Sequence, residues 1–341
     1  QRQLPGSMAV HLGYIGTRGE NLMYNGTNAS TININQLDPK YQSMGAALLQ
    51  SVPNPFFGNA AFGALSRPAM LTQGQLLRPY PQFLNVNAHR VSGAQSRYHS
   101  MVVKLERRIR DGWGFNTNYT WSNLKDNQIG EGNFFAQWSS TPLNNYDLDR
   151  EYAISLLDTP HRINISVTYE LPFGQGKRFM NRGGIANLLL GGWQLSGIGA
   201  YQSGFPAQVF QSNNNSGLFG SGQRPNIVSG VDPNTSGSTE ERLNNWFNPA
   251  AWSLAAPYTW GDAPRADARI RTPFKKNFDI AIQKGQQVGG ANVQVRLDLI
   301  NAFDNPNFRG PGTAFGLGTF GRVTELGGFP RMVQLLFKVN W

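Results

Sequence analysis

Apolar and polar side chains alternate every second residue along much of this chain, and helical patterning is scarce. The clearest segment is Arg162–Leu171. Ile163, Ile165, Val167, Tyr169 and Leu171 fall on one face of a strand, and Asn164, Ser166, Thr168 and Glu170 on the other. Ala291–Leu299 sets Val293, Val295, Leu297 and Leu299 against Asn292, Gln294, Arg296 and Asp298. The terminal segment groups Val333, Leu335, Phe337, Val339 and Trp341 opposite Gln334, Lys338 and Asn340, with Leu336 as an exception. Five further segments follow the same rule less cleanly: Met8–Tyr14, Met101–Ile109 (where Arg107 intrudes on the apolar face), Trp113–Trp121, Trp193–Tyr201 and Phe278–Ile282. The pattern predicts eight strands, an even number, each with one greasy and one wet face.

A soluble β-sandwich alternates in the same way, so other features must decide. Aromatic residues close the apolar faces: Trp113 with Trp121, Trp193 with Tyr201, and Trp341 at the end of the last strand. Eight residues at roughly 3.3 Å each span about 26 Å, or about 20 Å across a bilayer after a ~40° tilt. That is close to the lipid-facing band of an outer-membrane barrel between its two aromatic girdles.

The connections also alternate. Arg110–Gly112 and Gly285–Gly290 are short and Pro172–Gly192 is compact, whereas Thr17–Arg97, Ser122–His161, Gln202–Asn277 and Ile300–Arg331 are long. Several long structureless loops are uncommon in soluble domains. Outer-membrane barrels combine short periplasmic turns with long extracellular loops. Counting back from a periplasmic C-terminus puts every short connection inside and every long one outside. Opposite the apolar faces stand Asn116, Asn118, Thr120, Asn164, Ser166, Thr168, Gln294, Arg296 and Asp298, which describe a wet interior. The expected fold is all-β: an antiparallel transmembrane β-barrel segment of about eight strands with long extracellular loops, residues 1–341 forming one barrel portion.

Composition narrows the alternatives. The chain has 341 residues, 40% hydrophobic and only 15% charged, yet its mean hydropathy is −0.39. Uncharged polar residues therefore replace the charges that fill roughly 25% of an ordinary soluble domain. No stretch approaches the ~18–20 apolar residues of a membrane helix; the nearest, Ile185–Trp193, is broken by Asn187 and two glycines. The absence of cysteine excludes disulfides and cysteine-ligated metals. Gln1 is followed by no basic and apolar leader, so a secretory signal is expected to have been removed, or the chain to be part of a longer one.

Other chemistry is weakly represented, and no cofactor or enzymatic activity is expected. No two of His11, His89, His99 and His161 stand at metal-ligand spacing. His161 with Asp158 and Ser155 lacks a nucleophile elbow and reads as a structural loop. Tyr146–Glu151 carries Asp147, Asp149 and Glu151 but not the glycine and spacing of a calcium loop, and reads as solvated. Gly316–Gly321 matches G-x-G-x-x-G without the strand and helix that the motif needs.

The net charge of +10 is concentrated in Lys104–Arg110, Lys177–Arg182 and Arg265–Lys276. No nucleic-acid fold or aromatic platform accompanies it, so nucleic acid is not an expected partner. On a barrel the first two clusters fall at periplasmic strand ends. The third falls on an outer loop, where anionic lipopolysaccharide or substrate is available. The aromatic segments of that loop, such as Asn244–Trp260, suit either ligand binding or loop-to-loop packing.

Taken in order, His11–Leu22, Arg110–Asp126, Asp158–Phe179, Gly191–Pro206, Asn277–Lys284, Val293–Phe308 and the terminal RMVQLLFKVNW resemble the C-terminal barrel of Oar-like TonB-dependent transporters. The resemblance runs from near Val10 to Trp341. It implies a barrel of about 22 strands in the cell outer membrane, closed by a plug and energised from the inner membrane. This chain would supply some eight of those strands, and the plug and the contact with a TonB-type energising partner would belong to an N-terminal region outside it. The implied function is barrel wall and extracellular loops for binding and uptake of an unknown extracellular substrate. The resemblance also implies that Val333, Leu335, Phe337, Val339 and Trp341 form the signal read by the barrel-insertion machinery. The alternative is a secreted soluble β protein that binds carbohydrate, possibly a glycosidase; no carboxylate pair at the required separation announces itself.

Overall fold

In a computed structural model, residues 1–24, 31–129 and 142–341 are described. One antiparallel sheet dominates, and its long strands follow chain order without a crossover. After a short β1 (Arg2–Leu4) come β2 (Met8–Met23), β3 (Ser92–Arg110), β4 (Trp113–Asp126) and β5 (His161–Glu170). They are followed by β6 (Trp193–Gln202), β7 (Lys275–Val288), β8 (Ala291–Ile300) and β9 (Met332–Asn340). All eight predicted strands are present, and a two-residue strand, Ala153–Ile154, adds to the end of β4.

The register joins the predicted apolar faces into one surface, since residues directly opposite in an antiparallel pair share a face. Leu12 pairs with Val103, Val103 with Tyr119, Tyr119 with Ile163, and Ile163 with Tyr201. Further along, Leu195 faces Ile282, Ile282 faces Leu297, and Leu297 faces Leu335. Nothing among the described residues covers this face: Leu12, Leu335 and Phe337 are 71%, 72% and 67% exposed, and Val167 at mid-strand is 40% exposed. A sandwich would bury these positions. The soluble alternative fails on this observation.

Two-residue turning at Asp111–Gly112 uses positive φ at both positions (54° and 84°), the conformation that matches the twist of a hairpin. The expected Gly285–Gly290 loop is shorter than anticipated, because β7 and β8 pair as far as Val288 and Ala291 and leave only Gly289 and Gly290 to turn. A further short turn joins β1 to β2 at the same end. The apolar run Ile185–Leu190 is a short exposed helix there, and the Trp193 indole donates to the Leu189 carbonyl at 2.9 Å.

Arg107, the intruder on the apolar face, is buried at the short-turn end. Its guanidinium lies 3.8 Å from the centre of the Trp113 ring and donates to the carbonyls of Gly6, Arg110 and Trp113. A charge at that position therefore ties two turns together. The sheet is open: among the described residues β9 pairs only with β8, and β2 beyond Val10 pairs only with β3.

The long connections differ from the expectation that they lack structure. They fold into a cap at the opposite end, and the buried apolar core of the protein is there rather than in the sheet. Ala207, Val209, Trp246, Phe247, Trp252 and Ile270 of residues 203–274 pack with Val323 of residues 301–331. Leu37, Leu48 and Leu218 form a second cluster, against which Trp260 packs. The aromatic loop residues thus hold loops to one another. β2 and β3 also run further toward the cap than predicted, reaching Met23 and beginning at Ser92.

Candidate functional site

The polar face of the sheet is the first candidate surface. Lys104, Asn118, Asn164 and Ala200 pair across consecutive strands, as do Glu106, Asn116, Ser166 and Ile198. Gln283 bridges Gln194 on one side and Gln294 on the other, an amide ladder crossing β6, β7 and β8. Arg296 pairs with Asp298 at 2.8 Å on the same face. Leu336, the exception to alternation in β9, lies on this face opposite Arg296. A wall so rich in amides and hydroxyls holds water rather than a dry core.

The cap is fastened to the wall by buried ion pairs. At the outer end of β4, Asp126 pairs with Arg265, and both are almost wholly buried. Arg265 Nε also donates to the Glu151 carbonyl at 3.0 Å, and Nη2 to the Asp126 carbonyl at 2.7 Å. The Glu151 carboxylate accepts from Arg224 and from the Leu143 amide (2.9 Å). Burial pulls the Arg224 pKa down, and the adjacent Glu151 opposes that shift. Asp158 accepts from the Leu124 amide at 2.6 Å and from Arg271 at 2.8 Å.

These contacts correct two expectations. The Tyr146–Glu151 run is solvated at Tyr146, Asp147 and Asp149, but Glu151 is completely buried and its carboxylate is committed to Arg224. The arginines of the Arg265–Lys276 cluster are not a free basic patch: Arg265, Arg269 and Arg271 are met by Asp126, Asp267 and Asp158. Asp158 and His161 serve structure, His161 stacking on Tyr119 with Nδ1 2.8 Å from its hydroxyl. Among the described residues no three His, Asp or Glu side chains gather as a metal site.

Within the cap, Gln208, Phe210, Gln211, Asn214, Ser221 and Arg224 border a cavity of about 270 Å³. Its amides are held in place: Gln211 Nε2 donates to Gln223 Oε1 at 2.9 Å, and Gln223 Nε2 to the Thr259 carbonyl at 2.7 Å. Sequence reasoning missed this site and the ion pairs. The one available signal was the charge complementarity between the acidic run ending at Glu151 and the basic run starting at Arg265.

Aromatic residues mark the two ends of the apolar face. Trp113 pairs with Tyr169 near the short turns, where Trp193 also begins β6. Toward the cap Trp121 pairs with His161, and Tyr201 stacks on Phe274 at 5.4 Å. Val333, Leu335, Phe337 and Val339 line one face of β9, and Trp341 follows that strand, 97% exposed.

Residues 1–334 match the family model of the outer membrane beta barrel domain. The chain belongs to that family. The apolar face is accordingly the lipid-facing wall of an outer-membrane barrel domain, the short turns are periplasmic and the cap is extracellular. No curated protein matches the chain significantly. Two solved chains align over 99% of its length at a TM-score of 0.37: one from the FpvAI–pyocin S2 complex, 12% identical, and FpvA of P. aeruginosa bound to heterologous pyoverdines, 11% identical. The chain spans 26% and 25% of their lengths, about a quarter.

Proposed function

We propose that this outer-membrane barrel domain is the wall and extracellular mouth of an Oar-like TonB-dependent transporter, a non-enzymatic receptor that binds and takes up an extracellular substrate. The observation that carries the reading is the junction of a polar wall with a folded cap. Asp126 at the end of β4, and Asp158 held by the Leu124 amide of the same strand, are locked to the loops, so a ligand held in the cap sits at the outer end of a wet wall. The amide-lined cap cavity suits an uncharged, hydrogen-bonding ligand, since the charge of Arg224 is met by Glu151. The order and spacing of the strand sequences that resemble the Oar-like group support the same reading.

In this reading the plug and the contact with the energising partner are upstream of these residues. Trp113 and Trp193 anchor the inner girdle, Trp121 and Tyr201 the outer one, and Val333, Leu335, Phe337, Val339 and Trp341 present the insertion signal. The test uses the whole gene product in cells, with single cysteines replacing Asn118, Ser166 or Ser196 on the polar face. A plug seated against that face protects them, so labelling by a membrane-impermeant maleimide is expected to rise several-fold when the upstream region is deleted. Equal labelling in both forms would remove the transporter reading.

A further inference from the structure

A second cavity, of about 580 Å³, opens where the outer end of the lipid face meets the cap. Tyr201 and Lys276 are direct cross-strand partners and share the lipid side of the sheet. The Lys276 ammonium lies 5.8 Å from the centre of the Phe274 ring, which itself stacks on Tyr201. Below them on the same face Phe278 meets Phe303 edge-on at 5.7 Å, and Phe303 is largely exposed. From the cap side the cavity is lined by Arg242, Trp246, Arg269 and Arg271.

The cations here divide into two kinds. Arg269 and Arg271 are held by Asp267 and Asp158. Arg242 rests over the Trp246 ring at 4.2 Å and donates Nε to the Thr235 hydroxyl and Nη2 to the Trp246 carbonyl. Among the described residues none of these partners of Arg242 and Lys276 carries a negative charge, so their charges remain available to an anion. Glu240, also on the lining, is exposed and therefore screened by solvent. Greasy rings below and two available cations above form the two halves of an amphiphile site, at the depth where acyl chains give way to headgroups.

We propose that this cavity binds the phosphate of a phosphorylated glycolipid of the outer leaflet, with Lys276 and Arg242 as its cationic contacts and the acyl chains lying along Phe278 and Phe303. The site is independent of the transporter reading, because it needs only the lipid-facing wall and the cap. The test measures lipid retained by the protein purified from outer membranes in detergent. The probes are bis-phosphorylated lipid A and the same lipid stripped of both phosphates.

Replacing both cations (Lys276→Gln with Arg242→Gln) is expected to weaken binding of the phosphorylated form about tenfold or more, the loss of charge-assisted contacts, and to leave the stripped form unchanged. Lys276→Arg with Arg242→Lys keeps the charges and is expected to retain binding, which separates a lost site from a misfolded cap. Equal retention of the two lipids by the native protein, or of phosphorylated lipid A by the Gln variant, would overturn the proposal. Full displacement of lipid A by millimolar inorganic phosphate would overturn the lipid assignment and leave a site for soluble phosphate.

Discussion

Arg265→Ala is expected to destabilise the extracellular cap by about 3–5 kcal/mol, the cost of leaving a buried carboxylate without its cation. Among the described residues the Asp126 carboxylate would retain the Gln128 amide, at 3.3 Å, as its one hydrogen-bond donor. The Glu151 and Asp126 carbonyls that Arg265 serves would also lose their donor. Both side chains of the pair are almost inaccessible to water, so the discount that applies to exposed ion pairs does not apply here. Limited proteolysis checks this: residues 254–274 should be cleaved much faster in the variant, while strand content in detergent is unchanged. Replacing the pair together, Asp126→Leu with Arg265→Met, should recover most of the loss, since two apolar side chains leave no buried charge. An Arg265→Ala protein as resistant to protease as the native one would show that the cap is not fastened through this pair.

Val167→Arg is expected to cost about 2–4 kcal/mol in a bilayer, the price of a guanidinium near the midplane of a barrel's lipid face. Val167 lies mid-way along β5, facing Phe115 on one side and Gly197 on the other, with no polar group opposite to receive the charge. Ser166→Arg is one residue away but on the polar face, opposite Asn116 and Ile198, where water and amides accept the guanidinium. Its expected cost is below about 0.5 kcal/mol, that of an ordinary surface substitution. Urea unfolding of protein reconstituted in vesicles compares the two. Equal costs would contradict the assignment of the faces. The contrast with Arg107 is instructive, because that guanidinium shares the apolar face yet has turn carbonyls within reach.

The wall was readable because bilayer and water impose opposite demands on alternate residues, and β5 and β8 obey them at nearly every position. Alternation stops where that demand ends. Alternation predicts that β2 stops at Tyr14, yet the strand continues through Thr17 to Met23, with the charged Arg18 and Glu20 on the side of Leu12 and Tyr14. The cap was not readable, since its strands are two to five residues long and its core joins Trp246 and Ile270 to the distant Val323. Periodicity has no purchase on such contacts. The burial of Arg265 and Glu151 is illegible in the sequence for a related reason: a run of charges looks solvated until the partner that buries it is known.

The central claim is that hydrocarbon covers the face bearing Val103, Val167, Leu297 and Phe337, and water the face bearing Asn118, Ser166 and Gln294. Because the chain has no cysteine, single cysteines at these seven positions carry spin labels without background. In reconstituted bilayers the first four labels should relax through oxygen and the last three through a water-soluble nickel chelate, alternating from Ser166 to Val167. Val167, Leu297 and Phe337 labels reached by neither reagent would show a protein layer over the apolar face and contradict the account.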